Sequence, residues 1–323
     1  MKRVLITGGA GFVGFHLARK LAKEGNDVTI VDNFERPNDD TELAELLKLD
    51  NVTHLKLDLT LESSYDSLPV NYYEDVYHMA AINGTGNFYN MPVKVLKVGV
   101  LSTIHLLDWV IRHDKRPHVV YTSSSETYAG TKTILGADFP IPTPEGVPLA
   151  IEDVSNVRWS YGSGKMIGEI AFYSYMKDHG FDNFKIVRLH NIYGPRMGSE
   201  HVIAQFIERF TSGQRPFDIF GSKNTRSFCY VEDALLGLQV VRDSGINGEI
   251  YHIGNDDEEI DIESVAKKLF DLSDEKYNFT MHEAPEGSVL RRCPDVSKIK
   301  SIGYKKQFTL ERGLQATMKW YEE

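Results

Sequence analysis

The stretch Val4-Leu5-Ile6-Thr7-Gly8-Gly9-Ala10-Gly11-Phe12-Val13-Gly14 decides the fold. A short apolar run breaks into glycines, and apolar residues at helical spacing follow over 13–22. That order reads as a buried strand, a tight turn and a helix. The glycines Gly8, Gly11 and Gly14 stand three apart. In such a turn the first glycine permits the bend and the second lets the backbone approach a pyrophosphate. The third lets the helix pack against the sheet. The opening of the helix, Phe12 and Val13 included, turns its N–H groups and positive dipole end toward the phosphates.

Working outward, 28–31, 52–57, 76–79, 119–122 and 184–188 read as further strands, and 93–111 and 161–177 as helices. Strand and helix in alternation predict an α/β fold, a Rossmann-type doubly wound parallel sheet covered on both faces. The second half is less regular. It has helical periods over 203–210, 231–241 and 262–269 and short strands over 217–220, 227–230 and 249–253. We expect a nucleotide-binding domain over 1–189, with segments around 225–255 returning to it. A smaller α+β C-terminal substrate lobe spans 190–323, with the substrate in a cleft between the two. The Pro-rich stretch 139–148 reads as a surface loop.

The chain of 323 residues is 41% hydrophobic and 25% charged, a globular balance, and carries a formal net charge of −10. That charge speaks against nucleic acid and against an anionic membrane surface as partners. Two cysteines, Cys229 and Cys293, make neither a disulfide framework nor a metal-ligand spacing, so no metal is expected. The N-terminal apolar run is too short for a signal peptide or a membrane span, which predicts a cytoplasmic protein.

Asp32 closes the second strand, followed by Asn33. A carboxylate there would bind the adenosine ribose hydroxyls and repel a 2′-phosphate, so the expected cofactor is NAD rather than NADP. Arg36 nearby would weaken that preference. Asp58, with Leu59, ends the third strand and would either accept a bond from the adenine amine or cap a helix. Ala80 and Ala81 follow the fourth strand, where small side chains would let the cofactor lie against the backbone.

Tyr161-Gly162-Ser163-Gly164-Lys165 puts a tyrosine and a lysine four apart on one helix face. An ammonium beside a phenol stabilises phenolate, which could take a proton from a sugar hydroxyl. Ser123-Ser124-Ser125-Glu126 lies at the C-terminal end of the fifth strand, where ligands bind in doubly wound sheets. Ser124 could share the proton with Tyr161.

With these motifs the chain resembles the extended short-chain dehydrogenase/reductase family, the NAD-dependent epimerase/dehydratase group. The likeness runs through Tyr77-His78-Met79-Ala80-Ala81, Arg188-Leu189-His190-Asn191-Ile192-Tyr193-Gly194-Pro195-Arg196, Thr225-Arg226-Ser227-Phe228-Cys229-Tyr230 and Arg291-Arg292-Cys293-Pro294-Asp295. The resemblance implies a catalytic set of Ser124, Tyr161 and Lys165. It also implies that Asn191, Arg226 and Arg292 hold the diphosphate of a nucleoside-diphosphate sugar, chemistry that guanidinium forks suit. Members often form homodimers through the helices corresponding to 93–111 and 161–177.

The reaction is expected to be epimerisation through a transient keto-sugar. Decarboxylation, dehydration and 4-keto reduction are the alternatives, and a non-catalytic NAD-binding regulator is a more distant one. Ser125 stands where the family's 4,6-dehydratases have an aspartate. The triplet Ser124-Ser125-Glu126 is more similar to UDP-glucuronate decarboxylases. Pro285-Glu286-Gly287 is similar to GDP-mannose 3,5-epimerase, which has a cysteine at the Glu126 position. Glu126 is expected to be a further acid or base, or a fixed acceptor. His201 is expected to be its partner across the ring, or a residue at a helix start. Asn83 and Ser125 should face the sugar. Gly99 stands where the family commonly has asparagine, which suggests a different local packing or a larger substrate group.

Overall fold

The computed structural model describes residues 1–35, 41–199, 201–273, 275–284 and 289–322. Arg36 and Pro285-Glu286-Gly287 lie outside the described residues. The chain divides into two compact units. The first comprises 1–136, 148–188 and 238–251, and the second 137–147, 189–237 and 252–323.

The first unit is built on β1 (Arg3–Thr7), β2 (Asp27–Asp32), β3 (Val52–Lys56), β4 (Asp75–His78), β5 (His118–Ser124) and β6 (Phe184–Leu189). With the strand Ile250–Ile253 they form one sheet, ordered Ile250–Ile253, β6, β5, β4, β1, β2, β3. The pairs β1–β2, β1–β4, β2–β3 and β4–β5 are all parallel. Parallel strands are covered on both faces, which is why β5 is buried at every residue. The strand order reverses between β1 and β4, the topological switch point where such sheets bind ligands.

The covering helices are α1 (Phe12–Lys23), α2 (Thr41–Leu46), α3 (Thr85–Asn90), α4 (Pro92–Val110), α5 (Ala129–Leu135) and α6 (Trp159–His179). Behind the sheet, Leu106, Trp109 and Val110 of α4 and Phe172 of α6 join Tyr121 and Ile186 in one apolar core. Gly99 of α4 faces Gly164 of α6, where a Cβ on Gly99 would lie 3.7 Å from the Gly164 Cα. The unusual Gly99 is thus a close helix crossing, one residue from Lys165.

The second unit holds three small sheets. Glu259–Asp261, Thr225–Ser227 and Arg291–Arg292 form the first, Phe217–Phe220 and Phe279–His282 the second, and Ile192–Tyr193 and Cys229–Tyr230 the third. The strand expected over 227–230 is therefore two strands in different sheets, broken at Phe228. Phe206, Phe210, Phe217 and Phe270 pack edge to face at its centre.

The Pro-rich stretch is an irregular segment with Pro140, Pro142 and Pro148 exposed, as a surface loop would be, but it is anchored at three buried residues. Phe139, Thr143 and Val147 are buried. The Thr143 N–H donates to the Cys293 carbonyl (2.9 Å), and the Asp295 N–H donates to the Thr143 carbonyl (2.8 Å). Proline density predicts lost helix and sheet bonding, but two backbone bonds suffice to sew a segment into a neighbouring strand end. The segment returning to the first unit is 238–251, shorter than the 225–255 read from the sequence. Among the described residues no helix is long and apolar enough to cross a membrane.

Candidate active site

The nucleotide loop joins β1 to α1. Gly8 has φ +69°, and a Cβ there would stand 2.8 Å from the Ala80 nitrogen at the end of β4. A Cβ on Gly14 would stand 2.3 Å from the Gly8 carbonyl oxygen. No side chain fits at either place, so the loop is a backbone cradle. The N-cap of α1 is Gly11, with no side-chain cap. The first-turn N–H groups, those of Phe12 and Val13 among them, are thus left for an anion.

Asp32 braces this loop. One carboxylate oxygen accepts the Ala10 N–H (3.1 Å) and the other the Phe34 N–H (3.0 Å). The Asn33 side chain accepts the Glu35 N–H (3.2 Å). Asp58 is exposed and closes a turn, accepting the Thr60 N–H (2.9 Å) and hydroxyl (2.8 Å). Leu59 beside it is buried.

Beneath the loop lies a group that the sequence reading missed. The Thr7 hydroxyl accepts the N–H groups of Met79 (3.1 Å) and Ala80 (3.3 Å), so it donates its own proton to His78 Nδ1 (2.7 Å). Nε2 then carries the hydrogen and donates to Thr103 (3.1 Å). Burial, helped by the Lys165 charge, pushes His78 down to about 3, so the ring is neutral. A buried histidine with hydroxyls on both nitrogens ties the ends of β1 and β4 to α4. Ala80 and Ala81, just beyond β4, are held beside the loop in consequence.

Ser124, the last residue of β5, hydrogen-bonds Tyr161 of α6. The Phe88 ring stacks on the Tyr161 ring at 5.0 Å. The Lys165 ammonium donates to the Thr122 carbonyl (2.7 Å) and sits 5.0 Å from the centre of the Tyr121 ring. The expected lowering of the phenol is not found. Burial pushes Tyr161 up to about 12, with Glu126 adding to the rise and the Ser124 bond opposing it. Burial also pulls Lys165 down to about 7, against the pull of Glu169. The physical reason is that the ammonium is turned to a backbone carbonyl and is itself close to losing its charge.

Glu126 lies in the short helix Ser125–Tyr128, and its N–H donates to the Ser124 hydroxyl (3.2 Å). Its carboxylate pairs with Arg158 (3.3 Å), whose guanidinium lies 4.6 Å from the Trp159 ring centre. Gly162 allows this approach, because a Cβ there would stand 2.8 Å from the Glu126 carbonyl oxygen. Arg158 carried no signal in the sequence reading. Ser125 is buried beside Ser124. Asn83 starts α3, accepting the Gly84 N–H (2.8 Å) with its side chain.

In the second unit, Arg226 and Arg292, 66 residues apart in sequence, are register partners on neighbouring strands. Like charges side by side repel. Such a pair makes chemical sense as a fork for a multiply charged anion. Asn191, at φ +44°, donates to the Ser227 carbonyl (2.9 Å) and lines one recess with Arg226 and His201. His201 stands at the N-cap of the helix Val202–Thr211, without capping it. Among the described residues no cluster of side chains could hold a metal.

The sheet order, the glycine cradle and the Ser124–Tyr161–Lys165 grouping define a dinucleotide-binding domain of the short-chain dehydrogenase type. The chain belongs to the NAD dependent epimerase/dehydratase family, matched over residues 4–254, and NAD is its cofactor. It is 33% identical to a UDP-N-acetyl-alpha-D-glucosaminuronate decarboxylase of Bacillus cytotoxicus, covering 100% of this chain and 98% of that one. It is 30% identical to UDP-glucuronic acid decarboxylase 1 of Xenopus tropicalis, over 100% of this chain and 72% of that one. A dTDP-glucose 4,6-dehydratase from Streptomyces venezuelae, solved with NAD bound, has the same fold. Its TM-score is 0.86 at 23% identity, over 99% and 97% of the two chains.

Proposed function

We propose that the protein decarboxylates a nucleoside-diphosphate-linked uronic acid, with Tyr161 as the proton acceptor and donor. The observation that carries the reading is Glu126, a carboxylate two residues from Ser124 and paired with Arg158. Glu126 is engaged by the Arg158 guanidinium, and Ser125 next to it carries no carboxyl to supply the acid that eliminating water demands. Loss of carbon dioxide from a β-keto acid needs no such acid. The full-length likeness to uronate decarboxylases supports the same choice.

The glycine loop and Asp32 would hold NAD, which would supply the acceptor for the C4 hydride and return it at the end of the cycle. Tyr161, in its phenolate form, takes the proton of the C4 hydroxyl while Ser124 holds the oxygen. The C4 hydride leaves and a 4-ketone forms, β to the carboxylate on C5. The bond from C5 to the carboxylate carbon breaks and carbon dioxide departs. The electron pair becomes the enolate, which takes a proton from solvent water at C5. Hydride returns to C4, and Tyr161 gives its proton back to the oxygen. Lys165 stabilises the phenolate, and Glu126 orients the ring or a water. Asn83 and Ser125 face the sugar, while Asn191, Arg226, Arg292 and His201 hold the diphosphate.

Epimerisation through a transient keto-sugar, the reaction first expected from the sequence, is the second reading. The trio Ser124, Tyr161 and Lys165 suffices for its 4-epimerase form, but the full-length relatives of 30–33% identity named above are uronate decarboxylases. We further propose a homodimer through α4 and α6, on which Val93, Leu96, Ile167 and Ile170 are exposed. To test the function, a panel of nucleotide uronates and neutral nucleotide sugars is offered to the enzyme while NADH absorbance and carbon dioxide are followed. Transient NADH with carbon dioxide from a uronate is expected. Turnover of neutral sugars alone would overturn the reading. Tyr161→Phe should lower kcat by roughly 10²–10⁴-fold.

A further inference from the structure

A buried carboxylate outside the catalytic trio bonds the residue before Ser124 and lies one turn from Lys165 on the same helix. Glu169 lies one turn beyond Lys165 on the same face of α6. It is 3% exposed. Arg188, near the end of β6, grips it with two bonds, Nε to Oε1 (2.9 Å) and Nη2 to Oε2 (2.7 Å). A third bond comes from the Ser123 hydroxyl to Oε1 (2.5 Å), and Ser123 is the residue before Ser124 on β5. A guanidinium fork is the partner that offsets the cost of burying a carboxylate this deep.

We infer that Glu169 is a positioning residue of the active site. Its one carboxylate anchors the strand end that presents Ser124 and holds a negative charge beside Lys165, so that the two halves of the proton relay are set by a single group. This inference rests on the reading that Ser124, Tyr161 and Lys165 carry the reaction.

The groups facing Lys165 are few. Tyr161 and Glu169 share its helix, Tyr121 lies under it on β5, and His78 reaches it from β4 as a neutral ring. Glu169 is thus the anion that opposes the loss of charge which burial imposes on the ammonium. Glu169 itself faces Arg188, Ser123, Tyr121 and Tyr173. The packing keeps this geometry tight. The Tyr121 hydroxyl points at Gly168, where a Cβ would stand 2.1 Å from it, and bonds the Lys165 carbonyl (3.4 Å).

A buried ion pair could instead do no more than hold α6 to β6. Removing Glu169 alone would strand a buried guanidinium and threaten the fold, so the variant is Glu169→Gln with Arg188→Met. The full chain is labelled with 13C at the lysine ε-carbons, Lys165 is assigned from Lys165→Met, and its titration is followed by NMR without substrate. Wild type should show a midpoint near 7. The double variant should show it lower by roughly one pH unit or more, with a reduced kcat and an unchanged KM for NAD. Glu169→Asp keeps the pair but sets the charge one methylene further away, and its midpoint should fall between the two. Should the double variant not fold, Glu169→Asp decides alone. An unmoved Lys165 midpoint in the folded variants overturns the inference. The titration needs no turnover, so a wild-type enzyme that never reduces NAD would sink the proposed function and leave this test standing.

Discussion

On the proposed function, the molecule handles anions in two places by opposite means. The glycine loop after β1 uses backbone N–H groups and leaves no room for side chains. The pair Arg226 and Arg292 uses two guanidinium groups standing in register on a small sheet. The first is geometry that one methyl group ruins. The second is charge on side chains, which can be removed one piece at a time and screened by salt. The difference teaches which region should be brittle and which should be graded.

Gly14→Ala tests the brittle side and should have the largest effect. Its Cβ would meet the Gly8 carbonyl oxygen at 2.3 Å, and backbone cannot step aside as a side-chain tip can. Overpacking of this kind costs about 1–3 kcal/mol, so NAD affinity measured by calorimetry should fall tenfold to roughly a hundredfold. A variant that binds NAD like wild type would break the comparison.

Arg226→Met and Arg292→Met test the graded side. Each should raise KM for the nucleotide sugar about tenfold, with a smaller change in kcat, since a charge-assisted bond contributes about 1.5–3 kcal/mol. If the two act as one fork, the double variant should lose less than the sum of the two losses. Added salt should weaken nucleotide-sugar binding more than NAD binding, a smaller effect that a titration series would resolve.

The subtlest prediction concerns Lys165. Its pKa in the folded chain lies near 7, below the ordinary 10.5. Below pH 7 both folded and unfolded chains hold the proton, and the folded chain bears the full cost of a buried charge. Between about 7 and 10.5 only the unfolded chain holds it, so the cost falls as pH rises. Lys165→Met should therefore raise Tm more at pH 6 than at pH 9 while removing activity. Thermal melts of both proteins at the two pH values check this. A Tm difference independent of pH would show that the ammonium is not desolvated as its burial implies.

Much of the first region was legible in the sequence, because its signals are local. Gly8, Gly11 and Gly14 follow directly on an apolar run, and Tyr161 and Lys165 share one helix face four residues apart. The arginine pair came only through resemblance, because 66 residues separate two side chains that strand pairing brings together. Three things left no sequence signal. Arg158 on Glu126, Arg188 on Glu169 and the two hydroxyls on His78 are contacts of tertiary structure between residues that are individually ordinary. The anchoring of the stretch 139–148 was missed for a related reason. Proline density reports what a segment cannot do locally, and says nothing of the strand end at Cys293 that accepts it.

The central claim is that oxidation at C4 is followed by loss of the C5 carboxylate. It is tested most directly by mass spectrometry of nucleotide uronates incubated with the enzyme in heavy water. The account predicts a product lighter by carbon dioxide and carrying one deuterium on carbon. An isomer of unchanged mass with no deuterium would contradict it and assign the chain to simple return of hydride at C4.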